Sequence, residues 1–160
     1  MKSKYINPFT DFGFKKIFGE EASKPLLLDF LNALLPESGK IVDLTFKNSE
    51  QLGETNKNWN LGYDIYCKNE KGEKIIVELQ KAKQNYFRER TIYYATFPIR
   101  EQGEKGDWDF NLKAVYCIGI LDFTFGNANF DTDKDEYEHT KKLKNQNGNT
   151  FYEKMTFIYF

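Results

Sequence analysis

The sequence predicts an α/β fold in which a mixed central sheet is flanked by helices, in the order α-β-β-β-α-β. Three observations predict it. Two helical patterns precede every strand pattern; a strand-turn-strand unit, "GYDIYCKNEKGEKIIVELQ", follows them; and a helical stretch separates that unit from "KAVYCIGILDF". The last run is almost unbroken in apolar residues, as in a strand covered on both faces and central in its sheet.

Each element follows from local chemistry. In "FTDFGFKKIFG", Thr10 or Asp11 can cap a short helix by accepting from amides that its first turn leaves free, and Gly19 supplies the stop. Phe14, Ile17 and Phe18 give that helix one apolar side. In the second helix Pro25 suits the first turn, Leu27, Phe30, Leu31 and Leu34 recur at helical spacing, and Pro36 ends the pattern. A first strand is expected over 40–46, "KIVDLTF", with a polar loop over 48–60.

Two strands over 61–68 and 74–80 flank "NEKGE", where Gly72 is available for a positive φ, and read as a tight hairpin. Helical character runs from Lys81 to about Phe97, with Phe87, Arg90, Tyr94 and Phe97 on neighbouring turns and Pro98 as the boundary. Tyr93 and Tyr94 are expected in the core. After the central strand, a charged approach containing the sole histidine, His139, leads to two strands around an Asn147-Gly148 turn. His139 is expected at the surface of a loop. The chain ends on "TFIYF", an apolar close that is expected either to be followed by more polypeptide or to complete an oligomer, such as a homodimer.

Composition narrows the class. At 160 residues the chain fits one domain over 1–160 that buries roughly two thirds of the surface of its unfolded form. Its 40% hydrophobic and 17% aromatic content argues against disorder. A formal charge of −1 gives no overall field to draw the molecule to nucleic acid or an anionic membrane, so binding of either kind must use a local patch. Cys67 and Cys117, both in apolar strand-like runs, suit a reducing compartment, and two cysteines with one histidine make a poor zinc site. With no apolar stretch of about 18 residues, the expectation is a cytoplasmic protein without membrane contact.

Glu78 is the anomaly: a charge within the strand "KIIVELQ". Centring the hairpin loop on Lys71 makes cross-strand residue numbers sum to 142. Cys67 then faces Ile75, Ile65 faces Val77 and Tyr63 faces Leu79, an apolar face for the core. The other face sets Lys68 against Lys74, Tyr66 against Ile76, Asp64 against Glu78 and Gly62 against Gln80. Opposed acids about 4.5–5.5 Å apart at Cβ repel and call for a neutralising group. A divalent cation such as Mg2+ meets this need, held by Asp64, Glu78 and the backbone carbonyl of Leu79, with Gln80 on the same side. A lysine or arginine between the acids, or a proton on one of them, meets it equally.

The stretches "FTDFGFKKIFG", "LLDFLNALL", "DIYCKNEKGEKIIVELQ", "FRERTIYYA" and "AVYCIGILDF", in this order over residues 8 to about 125, resemble the PD-(D/E)XK nuclease superfamily. Within it they look like the Rpn-like recombination-promoting nucleases, also called PD-(D/E)XK family transposases. The resemblance implies a restriction-endonuclease-like core and hydrolysis of DNA phosphodiesters dependent on Mg2+ or Mn2+, linked to recombination or transposition. It implies Asp64 and Glu78 as catalytic metal ligands, and Gln80 where the superfamily pattern has lysine. Gln80 can orient a water but cannot act as its base. Family members usually run well beyond 160 residues, which implies a truncated C-terminal end.

Around this set, Glu20 or Glu21 offers a third carboxylate or simply a charged helix end, and Lys81 or Lys83 either reaches the site from the turn or stays in solvent. Arg88 and Arg90 point to different sides of their helix, one suited to phosphate of DNA and the other to an acid of the sheet. A catalytically inactive nucleic-acid-binding or assembly module on the same fold is the competing reading, and cleavage of RNA differs from the first reading only in substrate.

Overall fold

The computed structural model describes residues 5–35, 39–47, 63–82, 85–103, 105–123 and 137–160. Three helices, α1 (Asp11–Phe18), α2 (Lys24–Leu34) and α3 (Phe87–Arg100), accompany six strands, with a 3-10 turn at Glu21–Ser23 before α2. The strands are β1 (Leu44–Phe46), β2 (Ile65–Asn69), β3 (Lys74–Gln80), β4 (Val115–Leu121), β5 (His139–Lys144) and β6 (Thr150–Tyr159). They form one mixed sheet in the order β1-β2-β3-β4-β6-β5. The expected helix-strand-strand-strand-helix-strand core is present, extended by β5 and β6. The loop expected over 48–60, Pro36, Gly62, Lys83 and residues 131–136 lie outside the described residues.

Thr10, not Asp11, caps α1: its Oγ1 accepts from the Gly13 amide at 3.0 Å. Asp11 instead opens the helix and pairs with Lys15 one turn on, at 2.9 Å. The chain enters α1 so closely that a Cβ on Gly13 would lie 2.0 Å from the Asn7 carbonyl oxygen, a contact only glycine avoids. In α2 the fully buried residues are Leu27 and Leu31, each worth about 2 kcal/mol of burial.

The strand expected over 40–46 begins only at Leu44, because side chains have taken the backbone before it. Asn32 of α2 accepts from Ile41 N–H at 2.8 Å and donates to the Ile41 carbonyl at 2.9 Å. A carboxylate oxygen of Glu70 accepts from the amides of Val42 and Asp43, each at 3.3 Å. These groups are satisfied without a neighbouring strand.

The hairpin holds the expected register: Ile65 opposes Val77, Tyr66 opposes Ile76, Cys67 opposes Ile75 and Lys68 opposes Lys74. Asn69 organises its turn by accepting from Lys71 and Glu73 amides, and Gly72 sits at φ 83°. β4 is parallel to both β3 and β6 and lies between them. β6 is itself interior, hydrogen-bonded to β4 on one edge and to β5 on the other, which explains its apolar close at "TFIYF". β5 is an edge strand and carries Lys141, Lys142 and Lys144, residues that blunt an open edge. His139 opens this strand, half-buried, rather than standing in a loop.

Two cores lie on the two sides of the sheet. Phe14, Leu27, Leu31, Ile65, Cys67, Ile75, Val77 and Ile118 pack on the α1 and α2 side. Tyr63, Tyr66, Ile76, Phe87, Ala95, Cys117, Phe157 and Tyr159 pack on the α3 side. Cys67 and Cys117 are both buried and free, one in each core.

α3 departs from its expected limits at both ends. It begins at Phe87, behind Tyr86 in a left-handed conformation at φ 60°. Gln80 donates to the Ala82 carbonyl at 2.7 Å and so shapes the residues expected to open the helix into a turn. The helix then runs through Pro98 to Arg100. Proline lacks the amide that would bond to the Tyr94 carbonyl, and the phenol of Tyr63 donates to that carbonyl instead, at 3.0 Å. Tyr94 is half-buried and packs edge-on against Tyr63, whereas Tyr93 is exposed, contrary to its expected core position.

Candidate active site

Asp64 stands in a bend just before β2, where the ladder with β3 has not yet begun. Its Oδ2 accepts from the Leu79 amide at 2.7 Å, so the side chain takes a main-chain donor of β3 and brings the Leu79 peptide against the carboxylate. Its Oδ1 lies 3.4 Å from Lys15 Nζ of α1. The bend also changes the face pattern. Tyr63 joins Tyr66 in the α3-side core, not Ile65 and Leu79 on the other side as strict alternation predicted.

Glu78 lies within β3 and is gripped from α3: Arg90 Nη2 stands 2.5 Å from its Oε1, and the same nitrogen donates to Gln80 Oε1. The guanidinium carbon sits 5.3 Å from the Phe87 ring centre and 5.8 Å from that of Tyr94, so two aromatic faces fix the cation in place. The amide of Gln80 is thereby engaged at both ends, by Arg90 and by the Ala82 carbonyl.

The two acids are held from different helices, Asp64 by α1 and Glu78 by α3. They still sense each other. Burial pushes Glu78 up to about 7, against the pull of Arg90, and the charge of Asp64 adds to the rise. Burial likewise pushes Asp64 up to about 6, helped by a hydrogen bond with Asp11 and opposed by the Leu79 amide and Lys15. Asp11, the outer partner, is held below the ordinary carboxylate range by its bonds to Asp64 and Lys15. Burial thus outweighs the cation beside each of the two carboxylates.

The other residues singled out in the sequence separate clearly. Glu20 and Asp64 line one open cleft of about 230 Å³ together with Phe12, Lys15, Lys16 and Gly19, although Glu20 is engaged by Lys16 at 2.8 Å. Glu21 is exposed in the 3-10 turn, where its charge acts on Lys24. Lys81 is exposed beyond β3. Arg88, half-buried, acts on Tyr159, while Arg90 is the arginine that meets an acid of the sheet. Among the described residues, no group of three or more His, Cys, Asp or Glu side chains is placed to hold a metal. Sequence reasoning missed Lys15 and Asp11; their spacing by four on a helix that opens the domain was the available signal.

No curated protein and no solved structure shows significant similarity to the chain. Residues 8–160, the whole span from the entry to α1 through β6, match a protein family described as PD-(D/E)XK nuclease family transposase. The mixed sheet with its acid-bearing hairpin and the match across nearly the full sequence agree, and the chain belongs to the PD-(D/E)XK nuclease family of transposases.

Proposed function

We propose that the protein is a divalent-metal-dependent DNA endonuclease that serves recombination or transposition, with its chemistry at Asp64, Glu78 and Gln80. The observation that carries this reading is the pair of buried carboxylates, each raised, beside the Leu79 peptide. This donor set fits Mg2+ or Mn2+, hard ions that take oxygen ligands. Asp64, Glu78 and the Leu79 carbonyl would hold the ion, and Glu20 is a further acid on the cleft wall. When bound, such an ion stabilises charge on a phosphodiester oxygen and lowers the pKa of water.

The protein's own groups do the rest. Arg90 fixes the Glu78 carboxylate and the Gln80 amide in one arrangement. The Leu79 amide fixes Asp64. Gln80, once released from Ala82 or Arg90, orients a water without deprotonating it. DNA reaches the site across the open cleft at α1, and Arg88, Lys81 and Lys83 are the further basic residues proposed to meet phosphate. Among the described residues, no helix is long and apolar enough to cross a membrane.

The grip of Arg90 on Glu78 and Gln80 favours a second reading, a non-catalytic DNA-binding or assembly module whose acid is neutralised by arginine. Nicking of supercoiled plasmid in Mg2+ or Mn2+ decides between them. Wild type is expected to nick, and Asp64→Ala and Glu78→Ala to fall to background. Equal cleavage by all three would assign the activity to a contaminant, and metal binding without nicking would establish the second reading. An RNA substrate of matched sequence in the same assay fixes the sugar specificity.

A further inference from the structure

The transition state of phosphodiester hydrolysis gathers negative charge on the nonbridging oxygens, and positioned donors at that place are the largest protein contribution to the rate. β3 offers none directly: Gln80 is neutral and engaged at both ends, and Arg90 already bridges Glu78 and Gln80. The cation at Asp64 comes from α1. Lys15 Nζ stands 3.4 Å from Asp64 Oδ1 and 2.9 Å from Asp11 Oδ1, on the wall of the open cleft that Asp64 shares. Its side chain is 42% exposed while that of Asp64 is 7% exposed, so Lys15 is open to solvent where Asp64 is not. Asp11, one turn earlier, tethers the ammonium at the rim whether or not Asp64 also holds it.

We propose that the cleft between α1 and Asp64 is the scissile-phosphate site and that Lys15 is a catalytic residue, donating to a nonbridging oxygen of the phosphodiester. The proposal rests on the nuclease reading and supplies from α1 the cation that Gln80 cannot. In the step it serves, the oxygen of water bonds to phosphorus as the bond to the leaving sugar oxygen breaks. The water loses its proton to solvent, the leaving oxygen gains one from solvent, and Lys15 stays protonated throughout.

The test compares wild type with Lys15→Gln, Lys15→Met, which keeps the stem's packing, and Lys15→Arg, with Lys144→Gln on the edge strand as control. Four readouts are taken: thermal unfolding, Mn2+ binding without DNA, fluorescence anisotropy of a labelled duplex in Ca2+ over a salt series, and plasmid nicking in Mg2+. The neutral variants are expected to fold and to bind Mn2+ as well as wild type or better. They should lose about 100-fold in nicking rate and show a salt dependence of DNA binding shallower by about one unit of log-log slope. Lys15→Arg should restore the slope. Nicking within about threefold of wild type with an unchanged slope would overturn the proposal. So would Mn2+ affinity that falls in step with nicking, since Lys15 would then act only by positioning Asp64. A wild type that cuts no nucleic acid sinks the nuclease reading and, with it, the catalytic role of Lys15, whereas a nicking wild type with unaffected Lys15 variants sinks the Lys15 proposal alone.

Discussion

Arg90 Nη2 lies 2.5 Å from Glu78 Oε1 and also donates to Gln80, so one guanidinium of α3 joins two side chains of β3. Removing one partner of such a pair leaves a charge in a buried place, at a cost of about 3 kcal/mol. Arg90→Met is expected to lower stability by that order in urea unfolding. Adding Glu78→Gln should recover most of the loss, because the remaining amide needs no counter-charge. Arg90→Lys should recover less, since a point charge cannot hold Glu78 and Gln80 while stacked between Phe87 and Tyr94.

The raised acids give the metal-free protein an unusual pH dependence. Unfolded, Asp and Glu ionise near ~4; folded, Asp64 and Glu78 hold their protons up to about 6 and about 7. The folded state therefore binds more protons between these limits, and its stability falls as pH rises through them. In EDTA the melting temperature is expected to be higher at pH 5 than at pH 8. Asp64→Asn should flatten this slope and melt higher than wild type at pH 8, whereas Glu78→Gln should flatten it without that gain, because it strands Arg90. Saturating Mn2+ at about 100 times its Kd should add about 2.7 kcal/mol to wild type and nothing to the double variant.

Gly13 controls the approach to the site without touching it. A methyl group there would sit 2.0 Å from the Asn7 carbonyl oxygen and 2.7 Å from Thr10 Oγ1, the atom that caps α1. Gly13→Ala is expected to break the cap, costing about 1 kcal/mol from that bond alone, and to loosen the helix that carries Lys15 to Asp64. Denaturant unfolding should show the loss of stability. Plasmid nicking should fall with it, while Thr10→Ala gives the smaller, cap-only effect.

The elements that could be read from the sequence are those whose signal is local. The register of the hairpin follows from alternation in "IYCK" and "KIIVE", and the central position of β4 follows from its unbroken apolar run. What escaped reading depends on side chains from distant segments taking main-chain groups. Asn32 and Glu70 stop β1 from starting at Lys40. Asp64 takes the Leu79 amide and bends the chain, so alternation misplaces Tyr63. The two acids stood out in the register as the charges on one face of the hairpin, but the cations that hold them were harder to assign. Arg90 was one of two arginines with no local feature to choose between them, and Lys15 sits far upstream on a helix read only for its caps and its apolar side.

Pro98 shows the same principle in a form that a double-mutant cycle can measure. A proline in the last turn of α3 leaves the Tyr94 carbonyl without its helical partner, and Tyr63 fills the vacancy at 3.0 Å while packing edge-on against the Tyr94 ring. Tyr63→Phe keeps the ring and strands the carbonyl, with an expected cost of about 1–3 kcal/mol in urea unfolding. Pro98→Ala supplies a helical amide at the same carbonyl, so in that background Tyr63→Phe should cost less than about 1 kcal/mol. The coupling between the two positions is the quantity of interest, because a phenol that merely packs would lose the same amount in both backgrounds. A cycle that closes to zero would show that the Tyr63 hydroxyl does not substitute for the missing amide, and that α3 tolerates Pro98 for another reason.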